Sequence, residues 1–370
     1  MPFEFKDMNF DTSRITPDAI NAEIARLSEN SANSQAGFFR IRTANQCIQE
    51  AKTQPIPRNL YQSLMFEGEI TVLFADTGVG KSIFAVQVAN EISKTDKVLY
   101  FDLELSDKQF QNRYSDNYKN EFIFNENFFR HDFVRPFTIP DGYTYDDYFI
   151  YSLKEVINNT GAKIIIIDNM TKLISGDTDG AKSTKPLMDV LTAMKFEHGL
   201  TMLLLEHTRK TDTSRPISLN DLQGSKMKAN FTDAAFSIGR SSKDKNLRYI
   251  KQLKCRSCEA AYDSDNIPVY EIVKENSLLQ FKFLNYDTEY NHLRVPSEND
   301  KSELLSQVKQ LRDEGHTVRD IAKTLNISKS QADRLAKRQV CPMSQVRDKR
   351  DNVPFVPRLG HGTNVNKKLK

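Results

Sequence analysis

The sequence predicts an α/β protein: a mostly parallel sheet covered on both faces by helices, with a small all-α module toward the C-terminus. Three observations predict it. Short apolar runs alternate with amphipathic stretches from Glu69 to about Asn285. FADTGVGKSIF, residues 74–84, lies at a strand-to-helix junction and has the spacing of a phosphate-binding loop. Residues 301–338 carry helical periodicity broken at Gly315 and again at Asn326–Ser328.

Residues 1–56 are polar and partly helical, with helical spacing from Pro17 to Leu27, and end at Pro55 and Pro57. ITVLFA then reads as a strand, Lys81–Ile92 as a helix and KVLYFDLE as a strand. Tyr148–Asn158 reads as a helix, AKIIIID as a strand, Lys185–Glu197 as a helix and LTMLLLEH as a strand. Apolar strands separated by helices argue for parallel pairing buried on both faces. AAFSIGR, LRYIKQLK, PVYEIVK and LLQFKFL follow without helices between them, so the sheet should finish in antiparallel or edge strands. The main domain therefore spans 57–285, a linker with Pro296 spans 286–300, and a compact helical unit spans 301–338. Residues 339–370 read as a basic, disordered tail with three prolines.

Of 370 residues, 39% are apolar and 27% charged, a composition that suits a globular protein. No run approaches the length of a membrane span, and MPFEFKDMNFD lacks the pattern of a secretory signal. Four cysteines do not make a disulfide framework, so a reducing, cytoplasmic setting is expected. The single C-x-x-C, Cys255 to Cys258, has no further ligands at zinc spacing. Charge is uneven: residues 301–370 hold 16 Lys and Arg against 7 Asp and Glu, while the first 300 carry a net −6. A basic terminal module on a mildly acidic body suggests a polyanionic partner.

In the loop, Asp76, Thr77, Gly78, Val79, Gly80, Lys81, Ser82 and Ile83 would cradle phosphate with backbone N–H groups and the helix N-terminus. Lys81 can reach the β- and γ-phosphates and Ser82 can ligate Mg²⁺, so ATP with Mg²⁺ is the expected ligand. Ala75 stands where the pattern wants glycine; at negative φ its methyl group costs little. KIIIIDN places Asp168 at a strand end, where a carboxylate can hold the Mg²⁺ shell. YFDLELS offers Glu104 as the base that deprotonates the attacking water, with Asp102 as a competitor on the same strand. LLLEHTRK ends a further strand at His207, where a polar side chain can sense the γ-phosphate.

Loop, Glu104, Asp168, His207 and KQLKCRS together resemble the hexameric RecA-like P-loop ATPases, and within them the DnaB/RepA type of replicative helicase. The resemblance covers roughly residues 57–285. It maps the family's catalytic glutamate to Glu104 rather than Asp102. It implies that LKCRS is the K-x-R motif, with Lys254 and Arg256 reaching the γ-phosphate of a neighbouring subunit. Charge neutralisation at the transferring phosphoryl group is worth enough to make such a finger decisive. The resemblance also implies pore-facing loops over 174–185 and 209–228, where Lys182, Lys185, Lys210, Arg215, Lys226 and Lys228 would track a single strand.

The terminal unit looks like a helix-turn-helix of the resolvase or sigma-factor type. Ile321, Ala322, Leu325, Ile327, Ala332 and Leu335 have the spacing that packs two helices across a tight turn. Ser328 would cap the second helix, and Lys329, Ser330, Gln331 and Arg334 would enter a major groove, with Lys323, Lys337 and Arg338 on phosphates. The implied whole is a homo-hexameric, ATP-dependent DNA helicase or translocase acting in replication of a plasmid or mobile element. It would thread single-stranded DNA and bind duplex through its terminal module. The alternative is a DNA-binding ATPase that regulates or assists recombination without unwinding.

Overall fold

The structure is a computed structural model that describes residues 35–36, 39–173, 181–209, 212–223, 226–295, 297–325 and 327–337. By its contacts the chain divides into two units, one of residues 1–211 and 216–292 and one of 212–215 and 293–370. Among the described residues no helix is long and apolar enough to cross a membrane.

The first unit is built on a nine-stranded sheet. β1 (Ile70–Ala75), β2 (Val98–Asp102), β3 (Phe128–His131), β4 (Ile164–Asp168), β5 (Thr201–His207) and β6 (Ala234–Arg240) pair in parallel; β7 (Leu247–Lys254), β8 (Ile267–Glu275) and β9 (Leu278–Asp287) continue antiparallel. The order across the sheet is β9-β8-β7-β6-β1-β5-β4-β2-β3. The antiparallel finish expected from the missing helices is thus present. The edge strand β3 was not expected, because FFRH is short and follows a polar insertion.

Among the described residues the α-helices of this unit are α1 (Ala44–Lys52), α2 (Lys81–Ile92), α3 (Asp107–Arg113), α4 (Tyr145–Thr160), α5 (Ala181–His198) and α6 (Lys226–Phe231). Successive side chains of a strand point to opposite faces. Leu73, Ile164, Ile166, Leu203 and Leu205 therefore pack with Phe84, Ala85 and Val88 of α2. Val72, Phe74, Ile165, Ile167 and Leu204 pack with Leu153 and Ile157 of α4 and with Met188, Leu191 and Met194 of α5. Burial on both sides is why these strands read as unbroken apolar runs.

The antiparallel half is held by a close approach and a buried charge. Gly239 of β6 lies opposite Tyr249 of β7, and a Cβ there would stand 2.1 Å from the tyrosine ring, so only glycine fits. Glu289 is fully buried, accepting from Lys251 Nζ (2.6 Å), Ile217 N (2.7 Å), Ser264 Oγ (3.0 Å) and Tyr249 Oη (3.3 Å). Four donors satisfy this buried carboxylate, as burial of a charge requires.

The second unit has its own small core. α7 (Glu298–Asp313), α8 (Val318–Thr324) and α9 (Lys329–Lys337) enclose Val308, Ile321, Ala322, Ala332 and Ala336, with Leu325, Ile327 and Leu335 packed against them. Gly315, at φ +86°, ends the first helix; Thr317 caps α8 in a capping box with Asp320. Ser328 Oγ accepts from Gln331 N at 3.1 Å at the start of α9. Lys329, Ser330 and Arg334 are exposed and Gln331 is half-buried. Arg338 and the tail lie outside the described residues.

Candidate nucleotide site

The phosphate loop runs from the end of β1 to α2, whose N-cap is Gly80 at φ 112°; Gly78 is also left-handed at φ 69°. Both glycines sit where other residues would be strained. Ala75 is fully buried and its φ is not positive, so its methyl group belongs to the core and does not disturb the turn. Asp76 and Thr77 are exposed, and Ser82 and Ile83 half-buried. The loop is gripped from β6 and β7: Arg240 donates to Thr77 O at 3.0 Å and Arg248 to Val79 O at 2.8 Å.

Lys81 is buried, donating to Ala75 O (2.8 Å) and Asp76 O (3.2 Å), with Nδ1 of His207 at 3.3 Å. Burial pulls the lysine below its usual range against the opposing pull of Asp168, Glu104, Asp76 and Glu206. His207 is likewise held below the ordinary imidazole value, first by burial and then by Lys81.

Asp168 is 2% exposed, and burial pushes its carboxyl up to about 6 against hydrogen bonds from Ser82 and Tyr100, the latter at 2.7 Å. Among the described residues no cation forms an ion pair with it. A buried carboxylate beside the Ser82 hydroxyl and at the mouth of a phosphate loop is a donor set suited to Mg²⁺. The raised value sets the sign of the linkage. Protonated Asp168 costs the fold little at pH 4; as pH rises through 6 the buried charge destabilises by about 3 kcal/mol. Asp168→Asn, without ligands, should therefore equal the wild type near pH 4 and exceed it by about that amount at pH 7. Urea unfolding at the two pH values checks this.

The two candidate bases differ sharply in surroundings. Asp102 is 1% exposed and committed: it accepts from Leu105 N (2.9 Å), Glu104 N (3.3 Å) and Arg130 Nε (3.0 Å). Arg130 also holds Asp107 at 2.6 Å and Leu105 O at 2.8 Å, so the pair fixes the loop after β2. Glu104 is exposed, and its carboxylate accepts from the amide of Asn169, whose Nδ2 lies 3.1 Å from Nε2 of His207. Asn169 is 1% exposed and is oriented by Thr171 N, which donates to its Oδ1 at 3.1 Å. It joins Glu104 to His207 and was missed in the sequence, although it directly follows Asp168 at the strand end.

The basic residues expected elsewhere fall out unevenly. Lys254 donates to Ala229 O (2.6 Å) and Thr232 O; Arg256 donates to Asp233 and Asn230 O, both at 3.2 Å. β7 runs antiparallel to β6, so Lys254, paired with Ala235, lies at the edge of the sheet opposite the phosphate loop. Lys228 corrects an expectation: it is 2% exposed and its ammonium is paired with Glu206, 1% exposed, so it does not face nucleic acid. Lys185 is exposed but pairs with Asp189 at 2.6 Å on α5, which begins at Ala181 rather than at Lys185. Arg215 is half-buried. Lys210 lies outside the described residues, as do the side chains of Lys182 and Lys226 on α5 and α6. Burial and Cys258 push the Cys255 thiol up to about 11, and among the described residues no His, Cys, Asp and Glu cluster to hold a metal.

Residues 40–213 match the protein family described as AAA domain. The match supports a P-loop ATPase for this stretch. The match takes in the loop, Glu104, Asp168, Asn169 and His207, and stops before β6. A solved KaiC-like protein from the hyperthermophilic archaeon Pyrococcus horikoshii is similar at TM-score 0.42 and 16% identity, over 59% of this chain and 90% of that one. No curated protein matches the chain. In the matched stretch the strand-end groups come from β1, β2, β4 and β5, at the C-terminal edge where open α/β sheets bind ligands.

Proposed function

We propose that the chain is an ATP-driven DNA helicase or translocase of the RepA-like type, working as a homo-hexamer on a plasmid or mobile element. The observation that carries the ATP half is the linked set Lys81, His207, Asn169 and Glu104 at one edge of the sheet. Glu104 takes the proton of the attacking water as oxygen bonds to the γ-phosphorus and the bond to the β-phosphate oxygen breaks, giving ADP and phosphate. Lys81 and the loop amides hold the phosphates, and His207 faces the transferred group. Asp168 and Ser82 would hold Mg²⁺, which supplies charge neutralisation on the β- and γ-phosphate oxygens.

The K-x-R pair supports an oligomer. Lys254 and Arg256 lie across the sheet from their own phosphate loop, so they serve a nucleotide only on another subunit. Adding Arg256→Ala subunits to wild type should therefore depress ATPase activity more than dilution does. On the nucleic-acid side, exposed Lys185 with Lys182, Lys210, Arg215 and Lys226 would meet a single strand, and exposed Lys329, Ser330 and Arg334 with Gln331 a duplex. The exposed face of α9 also favours a second reading, a DNA-bound ATPase acting as regulator or recombination accessory. Unwinding of a forked duplex under ATP separates the two. Strand release that needs Lys81 supports the first; duplex binding and ATP turnover without strand release support the second.

A further inference from the structure

The short helix α6 is tied on two sides to groups whose roles lie elsewhere. Toward the nucleotide site, Lys228 pairs with Glu206 in a dry interior, the two side chains being 3% and 1% exposed. The other carboxylate oxygen of Glu206 accepts from His207 N at 3.0 Å. His207 in turn stands 3.3 Å from Lys81 Nζ and 3.1 Å from the amide of Asn169, where ATP would bring a γ-phosphate and ADP brings nothing. Separating a buried ion pair strands both charges away from water, so α6 and the end of β5 move as one body.

On its other side the same helix holds the K-x-R pair. Lys254 donates to Ala229 O (2.6 Å) and Thr232 O, carbonyls that a helix C-terminus leaves without partners of its own. Arg256 donates to Asn230 O and to Asp233, both at 3.2 Å. The two acceptors of Arg256 are anchored differently. Asp233 is fixed to β1 by Ile70 N at 2.9 Å and to α5 by Lys195 at 2.7 Å, whereas Asn230 O belongs to α6. A shift of α6 therefore breaks one of the two contacts and frees the guanidinium.

We propose that α6 is a relay from His207, through Glu206 and Lys228, to Lys254 and Arg256, so that each subunit offers its finger to the neighbour according to the nucleotide it holds itself. A ligand moves an equilibrium only through contacts it makes in one state and not the other, and the γ-phosphate supplies that difference. The regulatory half rests on the K-x-R pair acting in trans; the movement of α6 with bound nucleotide stands without it.

The chain contains no tryptophan and Asn230 is exposed, so Asn230→Trp puts a reporter beside Arg256 and keeps the backbone oxygen that Arg256 uses. With the full chain and Mg²⁺, saturating ADP and saturating adenylyl imidodiphosphate should give different emission maxima. Adding Glu206→Gln with Lys228→Met removes the buried pair and leaves Lys81, Ser82 and His207 in place; the difference should vanish with both nucleotides bound. If that chain does not melt cooperatively, His207→Gln replaces it at concentrations that saturate each nucleotide, with the same expectation. Because Arg256 would also meet the neighbour's nucleotide, reporter chains carrying Lys81→Ala are mixed with excess wild type, and there too the difference should vanish. Equal emission in a chain that binds both nucleotides overturns the relay, as does a difference that survives any of these changes. A chain that binds neither nucleotide sinks the ATP reading and the relay with it. Wild-type turnover should show a Hill coefficient above unity that falls to unity in the double variant. Cooperativity that is absent from wild type, or that survives the double change, overturns the regulatory half. Failure of Arg256→Ala subunits to poison wild type removes the trans finger and leaves the movement of α6 standing.

Discussion

Glu104→Gln should lower kcat for ATP hydrolysis by about 10²–10⁴ while leaving nucleotide affinity within a few-fold of wild type. The amide keeps the size and the contact with Asn169 but cannot take a proton from water. Lys81, Ser82 and the loop amides, which would hold the phosphates, are untouched. Asp102→Asn should behave differently. It weakens the ion pair with Arg130 and the grip on Leu105 and Glu104, so it lowers thermal stability and blunts turnover by misplacing the base. Single-turnover hydrolysis beside equilibrium nucleotide binding separates the two. Were Asp102→Asn to abolish chemistry at unchanged stability while Glu104→Gln stayed active, the roles would be reversed.

Lys228→Ala should destabilise the first unit by about 3–5 kcal/mol, because it strands the carboxylate of Glu206 in a dry interior. For a unit of this size that is a fall in melting temperature of roughly 6–20 °C. Glu206 also accepts from His207 N at 3.0 Å, so the loss reaches the end of β5 and the nucleotide site. The double change Glu206→Gln with Lys228→Met should recover most of the stability, since it removes both charges together. A Lys228→Ala chain that melts like wild type would show the ammonium to be solvated and free for nucleic acid after all.

The core was legible because β1, β2, β4 and β5 are buried on both faces and so leave uninterrupted apolar runs. The phosphate loop was legible because its spacing is local. Groups whose roles arise from sheet pairing were not. Arg130 reaches Asp102 only because β3 lies beside β2, and Tyr100 reaches Asp168 only because β2 lies beside β4. Lys228 was misread for the same reason: a lysine among polar residues reads as solvated until the partner across the fold, Glu206, is known. Asn169 was within sight, one residue past Asp168, but its two contacts lie 65 and 38 residues away in the chain.

The contact between Lys81 and His207 has a consequence in protons. Asn169 is fixed with its oxygen toward Thr171 and its nitrogen toward Glu104, so the second amide hydrogen points to Nε2 of His207. Nε2 must accept it, which leaves the ring hydrogen of the neutral imidazole on Nδ1. That hydrogen then faces the ammonium of Lys81 across 3.3 Å, donor against donor. The repulsion has one simple relief: an anionic oxygen that accepts from both. The site is wired to prefer a charged oxygen at that point, by an arrangement of hydrogens that begins at Glu104.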